Sequence, residues 1–195
     1  MSHYKVHHNV IIACDQYGTI GNQGKLPWPN LSGDLKRFRE ITDGHVVVMG
    51  RKTWQSLPMF PKGLPGRTNV VITNDPAHYV RFSSSHVLPH TASTGVVFTD
   101  LYDSWKVLQA MADQEKRDLY AFHIGGVSLI EQVLRSGVIE VLFLTLVNKP
   151  YPGDAAIKDL PDILVDALEG HHPVFSVASE EEFDDYTFYK LIAKH

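Results

Sequence analysis

One cysteine, Cys14, stands among 195 residues, which excludes a disulfide within the chain and a cysteine-built metal cluster. A lone thiol suits a reducing compartment, so the cytoplasm is the expected location. No stretch approaches the roughly 20 apolar residues of a membrane-spanning helix. The opening Met-Ser-His-Tyr-Lys-Val-His-His also lacks the apolar segment of a signal peptide, so no membrane partner is expected. A basic excess is missing too: 18 Lys and Arg stand against 22 Asp and Glu, for a formal net charge of -4. That balance argues against nucleic acid or an anionic surface as partner, although a small anion needs only a few well-placed cations. Internal repeats and low-complexity tracts are absent. So are the G-x-G-x-x-G fingerprint of a standard dinucleotide fold and the Walker loop of an NTPase. The eleven histidines include the pairs His7-His8 and His171-His172, but neither has a metal-binding spacing with nearby acids, and they are read as solvated.

What is present fits one ordinary globular domain over residues 1–195, with its core at 9–192. The chain is 44% hydrophobic and 21% charged, and a split in two would leave both halves small for independent stability. Short apolar runs predict strands at 9–14, 45–49, 69–73, 96–99, 119–124, 138–147, 174–178 and 186–192. Helical spacing lies between them at 33–42, 52–57, 104–114 and 127–136. This alternation predicts a three-layer α/β fold around a mainly parallel, twisted eight-stranded sheet. The last two strands, separated by an acidic turn over 179–185, are expected to form an antiparallel edge hairpin. Residues 75–94 and 151–172 carry the least pattern and are assigned to loops and insertions, with a short helix possible at 161–168.

Leu31, Asp34, Leu35, Phe38 and Ile41 follow i, i+3, i+4, i+7 spacing and share one helical face. A carboxylate on such a stripe costs free energy unless it is paired, which points to ligand recognition. Equally, an acid in the first helical turn favours the helix dipole or caps the helix, and the two readings stand side by side. In the run Val46-Val47-Val48-Met49-Gly50-Arg51-Lys52-Thr53-Trp54, a buried strand passes through a glycine into a helix that opens with two cations, a geometry suited to phosphate. Ile124-Gly125-Gly126 is a second strand-to-helix junction, serving either as a tight turn or as a close approach for a pyrophosphate. The loop over 15–29 combines Gly18, Gly21 and Gly24 with the stiff Leu26-Pro27-Trp28-Pro29, as a lid or as a plain surface loop anchored by Trp28.

Taken together, Ile20-Gly21, Leu26-Pro27-Trp28, Asp34 with Phe38, Met49-Gly50-Arg51-Lys52-Thr53-Trp54, Leu64-Pro65-Gly66-Arg67 and Ile124-Gly125-Gly126 occur in the order and approximate spacing of dihydrofolate reductases. The chain resembles that family over about residues 9–192. The resemblance implies reduction of 7,8-dihydrofolate to 5,6,7,8-tetrahydrofolate with NADPH as cofactor, in support of one-carbon metabolism and thymidylate synthesis. By it, Asp34, Trp28 and Thr145 form the catalytic group, with Asp34 holding the pterin ring. Ile11, Leu31, Phe38, Leu57 and Ile124 would enclose the substrate, and Arg67 would pair with its glutamate carboxylate. Ala13, Ile20 and Gly21 would lie near the nicotinamide. Gly50, Arg51, Lys52, Thr53, Thr73 and Asn74 would receive the phosphorylated adenosine side, and Gly125, Gly126, Val127 and Ser128 the pyrophosphate. No metal is implied. The expected partners are dihydrofolate and antifolate-like small molecules, and the expected state is a monomer.

The sequence departs from the family at three points. Ile130 stands where a tyrosine near the nicotinamide is usual, and Ala155 and Ile157 replace the Thr and Phe that often follow the retained Gly153-Asp154. Lys62 matches a glutamate-tail contact only loosely. Two rival readings share the fold: an NADPH reductase of the riboflavin-pathway type, which Asp34, Phe38 and Arg67 argue against, and a non-catalytic binding protein, for which Ile130 is the main support.

Overall fold

The computed structural model describes residues 4–29, 31, 33–80 and 96–194. In chain order the elements are β1 (Val6–Asp15), β2 (Thr19–Gly21), α1 (Asp34–Thr42), β3 (Val46–Gly50), α2 (Arg51–Ser56), β4 (Thr68–Ile72), α3 (Pro76–Val80), β5 (Val96–Thr99) and α4 (Leu101–Glu115). They continue with β6 (Leu119–His123), α5 (Val127–Arg135), β7 (Ile139–Val147), β8 (Ala155–Ala156), α6 (Asp159–Leu168), β9 (Phe175–Glu182) and β10 (Tyr186–Ala193). Eight strands form one sheet in the order β5-β4-β3-β6-β1-β7-β10-β9, and β2 with β8 form a small second one. The first six strands of the main sheet run parallel, while β10 lies antiparallel to both β7 and β9. The C-terminal strand is thus the antiparallel one, and its hairpin partner β9 forms the edge.

Alternation along the central strands divides the core into two faces. Val10, Ile12 and Cys14 of β1 and Val46 and Val48 of β3 face one layer, where they meet Leu108 and Met111 of α4, Ile130 of α5 and Leu160 of α6. Ile11, Val47 and Met49 face the other, against Trp54 of α2 and Phe38 and Ile41 of α1. A third cluster of Trp28, Leu31, Val147, Tyr186 and Phe188 closes the β7–β10 end. At the start of β1, His8 Nδ1 lies 3.3 Å from His123 Nε2, beside Trp105 of α4. Burial drives both imidazoles towards the neutral form, lowering His8 to about 4 and His123 to about 3. These are packed residues of the sheet, unlike the solvated histidines the sequence suggested.

Several boundaries differ from the sequence reading for local reasons. Helix α4 begins at Leu101 because the Asp100 carboxylate caps it, accepting from Asp103 N. Helix α6 starts at Asp159, which places Pro161 in the first turn, where no intrahelical N–H is required. Residues 179–182, read as an acidic turn, extend β9 instead; on an exposed sheet edge, charges deter further pairing. Helix α3 occupies 76–80 of the supposed loop over 75–94, of which 81–94 lie outside the described residues. Among the described residues no helix is long and apolar enough to cross a membrane.

Candidate active site

A cavity of about 1630 Å³ opens where the parallel strands deliver their C-terminal ends, bounded by α1, α2, α5 and the loop that follows β1. Such crevices are where open α/β sheets bind ligands. Its apolar wall is made by Ile11 and Ala13 of β1, Phe38 of α1, Leu57, and Ile124 at the end of β6. Into this wall project two polar groups from elements far apart in sequence: Asp34 at the first position of α1 and Thr145 of β7, whose hydroxyl donates to Asp34 Oδ1 at 2.8 Å.

That contact shows which way the Asp34 carboxylate turns, while its place in the first turn of α1 also keeps the helix-dipole reading. The residue before it, Gly33, has a φ of 98°, and among the described residues no side chain caps the helix. The carboxylate is therefore turned from the helix end into the cavity. Burial pushes its carboxyl above the ordinary aspartate range, while the Thr145 hydroxyl and the Arg37 charge pull the other way.

Arg67 marks the outer end of the apolar wall. Its side chain is 6% exposed; Nε donates to Pro65 O at 2.9 Å and Nη1 to Thr42 Oγ1 at 3.0 Å. The turn that carries it is fixed by the buried Asn69. Asn69 Oδ1 accepts from Leu64 N at 2.8 Å, and its Nδ2 donates to Leu64 O and Arg67 O, both at 3.0 Å. The guanidinium is thereby oriented before any ligand arrives. Lys62, by contrast, is exposed and outside the cavity wall.

The opposite half of the cavity is floored by glycine. Gly50 N donates to Gly125 O at 2.8 Å, tying the end of β3 to the end of β6. A Cβ on Gly50 would meet Gly126 N at 3.6 Å, and one on Gly126 would meet Thr53 Oγ1 at 3.4 Å. Gly125 has a φ of 122°, which side chains rarely adopt. Around this floor stand Arg51, Lys52 and Thr53 of α2, Thr73 and Asn74 after β4, and Val127 and Ser128 opening α5. Free amide N–H groups, two cations and three hydroxyls around a side-chain-free floor fit an extended phosphate-bearing molecule.

The loop after β1 covers the junction of the two halves and contributes Ile20, Gly21, Gly24 and Leu26 to the wall. It is tied down from two sides. Asp15, fully buried, accepts from Tyr17 N and Thr19 N at Oδ1 and from Tyr151 N at Oδ2, each at 2.9 Å. Asp154 accepts from Gln23 N at 3.1 and 3.2 Å, and its own N–H donates to Gly21 O at 3.1 Å. The pairing of β2 with β8 runs between these ties.

Two expected site residues lie elsewhere. Trp28 and Leu31 are not among the lining residues of the cavity; they pack in the third apolar cluster with Val147, Tyr186 and Phe188, where the large apolar side chains of the loop are buried against β7 and β10. The buried Trp28 indole N–H has no partner among the described residues. Ile130 and Ile157 are wholly buried on the far face of the sheet, leaving only Ala155 of the three departures in the wall. Sequence reasoning missed Asp15, Asn69, Arg37 and Arg39. The last two line the cavity; the i+3 spacing of Arg37 from Asp34 was an available signal, whereas Arg39, at i+5, had none.

Comparison with known proteins agrees with this arrangement. A family model described as dihydrofolate reductase matches residues 8–188. "Dihydrofolate reductase type 8" of Escherichia coli is 32% identical over 181 residues, covering 89% of this chain and 96% of that protein. A dihydrofolate reductase of Staphylococcus aureus is 28% identical over 186 residues, covering 95% and 98%. Among solved structures, a dihydrofolate reductase from Enterococcus faecalis in complex with NADP(H) and RAB-propyl superposes with a TM-score of 0.68 at 24% identity, covering 98% of this chain and 99% of that one. With the sheet order, the acid in an apolar wall and a full-length family match in agreement, this chain belongs to the dihydrofolate reductase family.

Proposed function

We propose that the cavity binds dihydrofolate along its apolar wall and NADPH over its glycine floor, and that Asp34 governs proton delivery to the substrate. The observation that carries this reading is the Asp34–Thr145 pair, a carboxylate with one side-chain hydrogen-bond partner among the described residues, facing a cavity with an apolar wall. Asp34 accepts hydrogen bonds from the donor edge of the pterin, which fixes the ring. Ile11, Phe38, Leu57 and Ile124 exclude water around it, and Arg67 receives the glutamate carboxylate. Gly125, Gly126, Val127 and Ser128 would hold the cofactor pyrophosphate, with Arg51, Lys52, Thr53, Thr73 and Asn74 at the adenosine phosphate. When bound, the nicotinamide supplies the hydride for pterin C6. Asp34 then assists protonation at N5, and Ile20 and Gly21 close the junction against solvent. On this reading the protein is a monomeric, single-domain enzyme of the cytoplasm acting on dihydrofolate and open to antifolate-like inhibitors.

The test follows NADPH absorbance on mixing the purified protein with dihydrofolate. Turnover is expected in the wild type. In Asp34→Asn it should fall by about a hundredfold or more, with the deficit growing towards neutral and higher pH as the assisted proton is lost. No oxidation by the wild type, or an Asn variant with unchanged kcat, would overturn the reading.

A further inference from the structure

Arg37 is not explained by substrate enclosure or by the helix it occupies. It follows Asp34 by three positions on α1 and lines the same cavity. Its guanidinium carbon lies 4.1 Å from the centroid of Phe188 and 5.9 Å from that of Phe143. Among the described residues, its side chain forms no ion pair and no hydrogen bond. A cation in a salt bridge has its field largely cancelled by its partner, whereas one seated on an aromatic face keeps its charge and gains a fixed position. Placing an unpaired guanidinium in a half-buried cavity wall costs desolvation. A leucine or methionine would cover Phe188 without that cost.

We propose that Arg37 is a positioning residue that sets the proton affinity of Asp34 from one helical turn away, and through it the pH at which the enzyme loses turnover. The proposal rests on Asp34 being the group that assists protonation. Groups facing the pair come from each neighbouring element: the Thr145 hydroxyl of β7, Glu181 of β9, and the Tyr186 hydroxyl and Lys190 ammonium of β10. Thr145 bonds Asp34 directly, and Lys190 Nζ lies 5.8 Å from the Phe143 centroid. Glu181 and Asp34 both act on Arg37, holding its charge against burial. Burial raises the Tyr186 phenol, and the Asp34, Glu181 and Asp185 charges add to that. Of these groups Arg37 is the cation that lowers the Asp34 carboxyl. Side chains three apart on a helix begin about 5–6 Å from each other. At such a range across a wetted cavity, the guanidinium charge favours the ionised carboxylate, and removing it lets the carboxyl rise.

The experiment compares wild type, Arg37→Met, which keeps the stem on Phe188 without the charge, and Arg37→Lys, which restores the charge. The carboxyl midpoint of Asp34 is read by 13C NMR in aspartate-labelled protein without ligands, with Asp34→Asn assigning the resonance. The pH dependence of hydride transfer is then measured in single turnovers with NADPH and dihydrofolate. Loss of charge should move both midpoints upwards by about half a unit to one unit, so turnover persists to higher pH, and lysine should bring both back towards wild type. A folded Arg37→Met protein with either midpoint unmoved overturns the role of Arg37, and leaves Asp34 in place if the Asn variant has lost the wild-type pH dependence. A pH dependence that survives in Asp34→Asn overturns the reading of Asp34 and the proposal with it.

Discussion

Replacing Asp15 by asparagine changes almost nothing in shape and removes a charge that three backbone amides share. Oδ1 accepts from Tyr17 N and Thr19 N, Oδ2 from Tyr151 N, all at 2.9 Å in a fully buried site. An asparagine oxygen can serve only one side. The less costly orientation keeps it on Tyr17 and Thr19, so the new NH2 faces the Tyr151 N–H, donor against donor. One hydrogen bond to a charged group, worth about 1.5–3 kcal/mol, is lost, and two others fall to the neutral value of about 1 kcal/mol. We expect a loss of about 3 kcal/mol, which for a domain of this length lowers Tm by about 6–12 °C. Urea denaturation followed by tryptophan fluorescence measures the first quantity and a thermal melt the second. Amide exchange locates the effect: Tyr151 N–H should lose most of its protection, and Tyr17 and Thr19 much less. A loss below about 1 kcal/mol, well under one charged hydrogen bond, with Tyr151 still protected, would refute the assignment of Asp15 as the clamp of the loop after β1.

Two further outcomes follow from other parts of the molecule. Because the folded values of His8 and His123 lie below the ordinary 6.5, the unfolded chain takes up protons first. Stability should be full above about pH 6.5 and drain as the pH falls towards 4, by about 2–4 kcal/mol between pH 7.5 and 5. Urea midpoints at the two pH values measure it, and His123→Phe should remove about half of the difference; an unaltered difference counts against the buried pair. At the other end of the sheet, Arg51, held at the cavity mouth by its bond to Gln55 Oε1 at 3.2 Å, is assigned to the phosphate peculiar to NADPH. Arg51→Ala should weaken NADPH binding by about 10- to 100-fold and NADH binding little, as read by fluorescence titration; equal losses would move Arg51 elsewhere.

The sheet was legible where apolar alternation is strong. The reading of 69–73, 96–99 and 119–124 comes within a residue or so of β4, β5 and β6, because strands buried on both faces are written in near-continuous apolar runs. It was illegible where pairing is held by backbone alone: β2 and β8 are three and two residues long, too short for any period. The glycines and cations of the cofactor side were visible as junction motifs, since phosphate recognition by backbone demands missing side chains at strand ends. Asp15 and Asn69 were invisible because each satisfies amides brought together only by the folded chain. Asp34 was half legible: spacing placed it on the inner stripe, but only Thr145, 111 positions away, showed which way the carboxylate turns. Trp28 had two readings, and its packing in the third apolar cluster is that of the loop anchor rather than a lining residue of the cavity.

Cys14 sits on β1, interior to the sheet, with no exposed surface, and burial lifts its thiol to about 12. Reaction with an alkylating agent requires a thiolate and an open path, and in the folded molecule Cys14 supplies neither. Since no other cysteine exists, each labelled molecule is one whose central strand has come away from its neighbours. The native chain therefore carries its own stopwatch for global opening, and a ligand that stabilises the fold would slow it in proportion to the population it withdraws from the open state.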